Sequence, residues 1–322
     1  MNQTASIDPR ITPLFKKLDL KAKSLLVTVW GDAVLPHGGT VWLGSLITLV
    51  TPLGLNDRVV RTAVFRLQKE GFLSSRQIGR RSFYNLTETG AHRFAEASHR
   101  IYAAGDIPWD GKWLFLFALR RELAEKDRRK LETELGWLGF GNLGGGVYAH
   151  PTASAESVDS LLSDLGLAGK VTVLSATGSG NAPFNAPEIL VAKGWTLKDL
   201  EADYARFIRH FAPFSDIMQS TTTLDEKKCF IIRSLLVHDY RRVLLRDPML
   251  PAELLPDKWN GNQARALFRD IYNLVWEGAE AYLMEILENA TGRLPPASED
   301  FYRRFGGLKK HSLRKTIVQE QE

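Results

Sequence analysis

The segment from Gly54 to Gly71 constrains this chain most tightly. Gly54 turns the chain, Asn56 stands where a helix N-cap is needed, and Asp57–Glu70 then reads DRVVRTAVFRLQKE before Gly71 ends it. Val60, Ala63, Val64 and Leu67 fall at i, i+3, i+4 and i+7, one apolar stripe that must pack on a core. The opposite side presents Arg58, Arg61, Thr62, Phe65, Arg66 and Lys69. A helix that leads with Arg and Thr beside such a stripe suits insertion into a DNA major groove. Its first residues would meet base edges there, and Arg can bind guanine O6 and N7 bidentately.

The neighbouring elements make that reading more specific. Leu20, Leu25, Leu26, Val29 and Trp30 predict a helix over Asp19–Leu35, ended by Pro36-His37-Gly38-Gly39. Thr40 is placed to cap a second helix carrying Trp42, Leu43, Leu46, Ile47 and Val50, which stops at Pro52. After the third helix, Leu73–Ile78 and Ser82–Leu86 predict two strands around a turn at Gly79-Arg80-Arg81. The hairpin bears Arg76, Arg80 and Arg81, with Ser82 and Tyr84 close by, well placed for phosphate or minor-groove contact. Three helices followed by an arginine-tipped hairpin predict a winged helix-turn-helix. A solvated basic face is the competing explanation for each piece taken alone.

Charge agrees with that prediction. Residues 1–100 contain 14 Lys+Arg against 7 Asp+Glu, whereas the whole chain of 322 residues carries a net charge of only +5. The excess therefore lies entirely in the first third, as for a polyanion-binding module on a near-neutral body. No apolar run is long enough to span a bilayer, and MNQTASIDPR does not begin like a signal peptide. One cysteine, Cys229, allows no intrachain disulfide, and the expected location is the cytoplasm.

Beyond a predicted helix over Thr89–Tyr102, Ala103–Gly111 reads as a linker. Strands are predicted at Lys112–Leu119, Gly144–His150 and Lys170–Ala176, with helices at Ala124–Leu138 and Ser154–Leu165. This alternation predicts a ferredoxin-like α/β domain. Thr177–Pro187 is a second expected boundary. Leu197–Ala290 reads as helical with interruptions at Pro213, Pro248, Pro251 and Pro256, and the tail after Gly292 reads as basic and partly disordered. The expected fold class is α+β, divided as a winged helix-turn-helix over 1–102, a ferredoxin-like domain over 103–180 and a helical C-terminal domain over 181–322.

Catalytic motifs fail on context. Gly139, Gly141 and Gly144 satisfy G-x-G-x-x-G but follow a predicted helix and lead into a strand, the reverse of a dinucleotide fold, so a flexible turn is expected. The histidines are scattered, His92 and His99 reading as a solvated stripe. Cys229 has no partner at metal-ligand spacing, so neither a metal nor a cofactor is predicted. No G-x-S-x-G elbow is present, and no catalytic residue is assigned. The run from Arg233 to Trp259 allows two readings. Its arginines beside aromatics can hold a phosphorylated, aromatic-bearing ligand, or they can pair with acidic neighbours on a helix before a Pro-fixed loop.

The run RLQKEGFL resembles the recognition-helix exit of GntR-type winged-helix repressors. The runs LLVTVWGDAV, HGGTVWLGSLITLVTPLGLNDRVVRTAVFRL, GRRSFYNLTETG, RIY…IPWDGKW and HDYRR…RDPMLPAELLPDKWNG together resemble the PaaX family of repressors of phenylacetate catabolism, in the same order over most of the chain. The resemblance implies a homodimeric repressor that leaves its double-stranded operator DNA on binding phenylacetyl-coenzyme A or another aromatic acyl-coenzyme A. It also implies a middle domain similar to a small CRISPR-associated endoribonuclease fold. That nuclease carries an Asp just after its first strand, whereas Leu119 here precedes Arg120 and Arg121, so the metal-dependent reaction is expected to be absent. In this reading Arg58, Arg61 and Thr62 read bases, Arg66 and Lys69 meet phosphate, and Arg76, Arg80 and Arg81 form the wing contact. Arg120, Arg121, Arg241, Arg242, Arg246 and Trp259 are the candidate effector residues. The rival readings are an enzyme of nucleic-acid or thioester metabolism and an architectural DNA binder without a ligand.

Overall fold

A computed structural model describes residues 10–105, 108–118, 121–177, 186–215 and 225–309. The first third opens with α1 (Thr12–Lys17) and α2 (Ala22–Val29), and α2 runs on through a π-turn at Trp30–Val34. Leu25, Leu26, Val29 and Trp30 are buried, the stripe their spacing predicts. Thr40 does not open the next helix. Val41–Trp42 forms a short strand, β1, because fully buried Val41 is held extended in the core, and α3 (Leu43–Val50) starts only after it. Then come α4 (Asp57–Lys69), β2 (Leu73–Ile78), β3 (Arg81–Leu86) and α5 (Glu88–Ile101). β3 is the centre of a three-stranded antiparallel sheet, between β1 and β2.

The middle region runs β4 (Lys112–Phe117), α6 (Glu125–Trp137), β5 (Gly141–Gly144), β6 (Val147–His150), α7 (Ala155–Asp164) and β7 (Thr172–Thr177). The sheet order is β5-β6-β4-β7 with every pair antiparallel, a ferredoxin-like arrangement. β5 corrects the expectation of a flexible glycine turn, since Gly141 and Asn142 pair with Ala149 and Tyr148 of β6, and Gly144 pairs with Val147 after a register shift. Gly146 closes the β5–β6 loop at φ 86°, where a Cβ would strike the Ala118 carbonyl oxygen.

Among the described residues four helices follow: α8 (Ala186–Gly194), α9 (Leu197–Phe211), α10 (Glu226–Leu244) and α11 (Asn260–Ile286). A minimal hairpin, β8 (Glu288–Asn289) and β9 (Gly292–Arg293), leads to α12 (Glu299–Tyr302). The tail is not loose throughout: Leu294, Phe301 and Arg304 are buried. Among the described residues, no helix is long and apolar enough to cross a membrane.

The chain forms two compact units. One unit takes Met1–Ala104, Phe207–Arg241 and Ala264–Glu322, and the other takes Gly105–Arg206 and Arg242–Gln263. In the second unit, one sheet face buries Leu114, Leu116 and Tyr148 beneath Leu131, Leu135, Val158 and Leu162 of α6 and α7. The other face packs Trp113 and Ala149 against Val191 of α8 and Leu250 and Leu254 of the Pro-rich segment. That segment is therefore, with α8, a structural cover for the sheet. In the first unit, Tyr240 of α10 stacks on Phe268 of α11 with centroids 4.1 Å apart.

Candidate nucleic-acid interface

α4 folds as its spacing dictates. The Asn56 side chain accepts the Val59 N–H at 3.0 Å, so one of the helix's orphan donors is satisfied at the cap. Val60, Ala63, Val64 and Leu67 are all buried, and α4 packs on α2. Arg58, Arg61, Thr62, Phe65, Arg66 and Lys69 are all exposed. Phe65 is 55% exposed, an apolar side chain left in water in the middle of a basic face, with the Lys69 ammonium 5.0 Å from its ring. Arg61 pairs with Asp57 at 2.7 Å, and the Thr62 hydroxyl donates to the Arg58 carbonyl at 2.9 Å.

The hairpin turns through two residues, Gly79-Arg80, because Ile78 and Arg81 are already partners in the ladder. Gly79 sits at φ 58°, the position a type II′ turn reserves for glycine. Arg80 therefore projects from the tip, and Arg76 is exposed on β2. Arg81 behaves differently. Its guanidinium lies 4.2 Å from the Trp42 ring centroid and pairs with Glu288 at 2.6 Å, so it ties the hairpin to β1 and β8. Ser82 and Tyr84 are half-buried, Tyr84 directly opposite Val41 and Ser75 in the sheet.

A cleft of about 730 Å³ opens along the flank of α4. It is lined by Arg58, Thr62 and Arg66 of α4, by Lys21 and Lys23 at the start of α2, and by Arg241 of α10. Sequence reasoning missed Lys21 and Lys23. Their signal was the basic pair in LKAKS, which lies outside the helix that drew the argument. Arg241 is held against α2: its Nε donates to Thr28 Oγ1 at 2.8 Å and its Nη2 to the Ser24 carbonyl and hydroxyl at 3.0 and 2.9 Å.

The six candidate effector residues do not form one cluster within a unit. Arg241 belongs to the first unit, whereas Arg121, Arg242, Arg246 and Trp259 belong to the second, and Arg120 lies outside the described residues. Arg121 and Arg242 are exposed. Arg246 pairs with Asp203, which also pairs with Arg206 at 2.5 Å, and these guanidiniums outweigh burial to hold the Asp203 carboxyl below its ordinary range. Trp259 is buried with its ring edge-on to Tyr204, whose hydroxyl donates to Asp247 at 2.5 Å. Arg246 thus serves an acidic partner, whereas Arg241 is held by the oxygens of Ser24 and Thr28.

The densest polar cluster escaped sequence reading. Asp32, at the π-turn after α2, is buried and accepts from the Tyr102 hydroxyl at 2.6 Å, the Tyr272 hydroxyl at 2.9 Å and Arg304 at 2.8 Å. Arg233 lies fully buried with Nε 2.9 Å from Asp32, and its Nη1 donates to Glu280 at 2.6 Å. His37 sits between Glu280 at 3.0 Å and the Pro295 carbonyl at 2.7 Å. Burial pushes the Asp32 carboxyl up, but the Arg233 and Arg304 charges and the two phenols outweigh it and hold it below the ordinary aspartate range. Glu280 is lowered in the same way by Arg233 and His37 against its own burial. The partners are up to 272 residues apart, so no local pattern announces them.

Comparison with known proteins fits this geometry. Residues 21–90 match the family described as PaaX-like protein, 106–187 the PaaX protein central Cas2-like domain, and 195–285 the PaaX-like protein C-terminal domain. The chain is 37% identical over 305 residues to the Transcriptional repressor PaaX of Escherichia coli (strain K12), covering 94% of this chain and 96% of that protein. The chain belongs to the PaaX family. A solved structure of an uncharacterized protein from Mycobacterium tuberculosis is also similar, with a TM-score of 0.53 and 26% identity over 81% of this chain and 98% of that one. The PaaX central match contains all four strands β4 to β7, so the ferredoxin-like sheet is the Cas2-like domain. The basic helix α4 and the hairpin lie within the N-terminal PaaX match.

Proposed function

We propose that this protein is a DNA-binding transcriptional repressor of a phenylacetate-type catabolic operon, a regulator rather than an enzyme. The observation that carries the reading is an exposed basic helix followed by an arginine-tipped hairpin, in a chain 37% identical along 94% of its length to a transcriptional repressor. In this reading α2, α3 and α4 with the β2–β3 hairpin are a winged helix-turn-helix. Arg58, Arg61 and Thr62 face bases in the major groove, Arg66 and Lys69 meet phosphate, and Arg76 and Arg80 make the wing contact.

The protein acts as a homodimer on palindromic half-sites one or more helical turns apart, in the cytoplasm with its DNA. An aromatic acyl-coenzyme A relieves repression by binding preferentially to a state whose half-site spacing does not fit the operator. The exposed Arg121 is better placed to meet such a ligand than Arg246, which an aspartate already holds.

The test is binding of the full chain to its own promoter duplex at fixed salt, with and without phenylacetyl-coenzyme A. Tight, sequence-specific binding released by the thioester, with the DNA intact, is the expected result. Specific binding indifferent to the thioester would remove the effector and keep the repressor. No preference over random DNA would overturn the function itself.

A further inference from the structure

The cleft beside α4 joins three parts of the chain that lie far apart in sequence. α4 supplies Arg58, Thr62 and Arg66, the start of α2 supplies Lys21 and Lys23, and α10 supplies Arg241. Five of these six side chains are cationic. Glu70 holds Lys23 at 2.6 Å, and Asp19 lies 3.4 Å from Lys21 where both are largely exposed. Arg58 and Arg66 make no ion pair among the described residues. Arg241 needs little further ordering, since three hydrogen bonds to Ser24 and Thr28 already fix its guanidinium at the half-buried side of the cleft.

We propose that this cleft seats a backbone phosphate of bound DNA, so that Arg241 and Lys21 extend the DNA interface beyond the winged helix-turn-helix into the C-terminal part of the chain. The proposal rests on the DNA-binding reading above. DNA fits better than a free anion because three of the cleft's seven polar or charged lining residues belong to α4, the helix that enters the groove in this reading. A strand bordering that groove passes along the flank of α4, where phosphate contacts fix register without reading sequence. Lys23 is not part of the clamp, because Glu70 occupies it. Arg241 thereby acquires two tasks, holding α10 against α2 and presenting charge to the strand.

The experiment measures affinity of the full-length protein for its promoter duplex and for a scrambled duplex across 50–200 mM salt. The proteins are wild type, Lys21→Gln, Arg241→Gln, Arg241→Lys, Lys23→Gln and Thr28→Val. Each phosphate contact contributes about 0.9 to the slope of log affinity against log salt, which is about a three- to fourfold change over that range. Lys21→Gln and Arg241→Gln are each expected to lower the slope by about this amount, with equal loss on both duplexes. Arg241→Lys, Lys23→Gln and Thr28→Val are expected to keep it, the last because it removes a hydrogen bond of Arg241 and leaves the charge.

Unchanged slopes in Lys21→Gln and Arg241→Gln would overturn the clamp while leaving the repressor reading intact. Wild-type protein with no salt-dependent DNA binding would overturn both. Binding of inorganic pyrophosphate that Arg241→Gln abolishes, with no change of slope on DNA, would make the cleft a small-anion site and also overturn the proposal. Should Arg241→Gln fail to fold by thermal unfolding, Lys21→Gln decides the matter, because its side chain is exposed and carries no packing.

Discussion

Asp32 shows how much one buried carboxylate organises. It takes hydrogen bonds from two phenols and pairs with two arginines, one of which, Arg233, is fully inaccessible and also serves Glu280. Removing one partner of a buried ion pair leaves uncompensated charge and costs about 3–5 kcal/mol. Asp32→Asn is therefore expected to destabilise the protein on that scale, read as a lowered midpoint in denaturant. The pH dependence has a definite sign. Both Asp32 and Glu280 are held below their ordinary values of 3.8 and 4.5, so the folded state binds fewer protons than the unfolded chain. Their stabilisation is complete above those ordinary values and is lost as pH falls through the depressed folded ones. Thermal midpoints should hold steady from pH 7 to about 5 and drop steeply below about 4, with a shallower drop in Asp32→Asn. Identical acid limbs in the two proteins would refute the assignment.

At the scale of elements, the proposed function divides the work between α4, which would read bases, and the β2–β3 hairpin, which would hold the backbone. Arg61 lies one turn into α4 and, among the described residues, pairs with exposed Asp57, an i, i+4 contact worth a few tenths of a kcal/mol that DNA would easily displace in the proposed complex. Arg61→Ala is expected to cost about 1–3 kcal/mol on the operator and to relax preference at one base position. Arg80→Ala, at the hairpin tip, is expected to weaken operator and random duplex alike, whereas Arg81→Ala loosens the hairpin from Trp42 and Glu288. Equal losses on both duplexes for Arg61→Ala would sink the division. These two elements were also the most legible in the sequence, because each is set by local rules: an Asn cap, a 3.6-residue stripe, a glycine at a two-residue turn. β1 and β5 were not legible. Val41–Trp42 is extended only because Tyr84 and Phe83 of β3, far along the chain, pair with it, and the glycines of β5 pair as a strand only because β6 and the close approach of Ala118 to Gly146 require it. The candidate site followed the same division, with α4 and the hairpin visible and the flank made by Lys21 and Arg241 visible only once the chain is folded.

At the scale of the whole molecule, the first hundred residues are expected to depend on later segments for their stability. The first hundred residues share a compact unit with Phe207–Arg241 and Ala264–Glu322. The reasons are specific. Within the first 104 residues Asp32 retains only Tyr102, and it loses Arg233, Arg304 and Tyr272. His37 loses Glu280 and Pro295, and Thr28 loses His238 and Arg241. A carboxylate buried without its cations is expensive, so the fragment must either open to let water reach Asp32 or take up a proton there. A fragment of residues 1–104 is therefore expected to lack a cooperative thermal transition and to bind the promoter duplex weakly and without sequence preference. Restoring the folded state should require the later segments, and Asp32→Leu, which replaces the orphaned carboxylate with an apolar side chain, should partly rescue the fragment while damaging the full chain. Opposite effects of one substitution in two contexts are the signature of a charge whose worth depends on partners elsewhere in the chain. Cooperative melting of the unmodified fragment, with full operator specificity, would show instead that the DNA-reading part stands alone and that the later helices only lean on it.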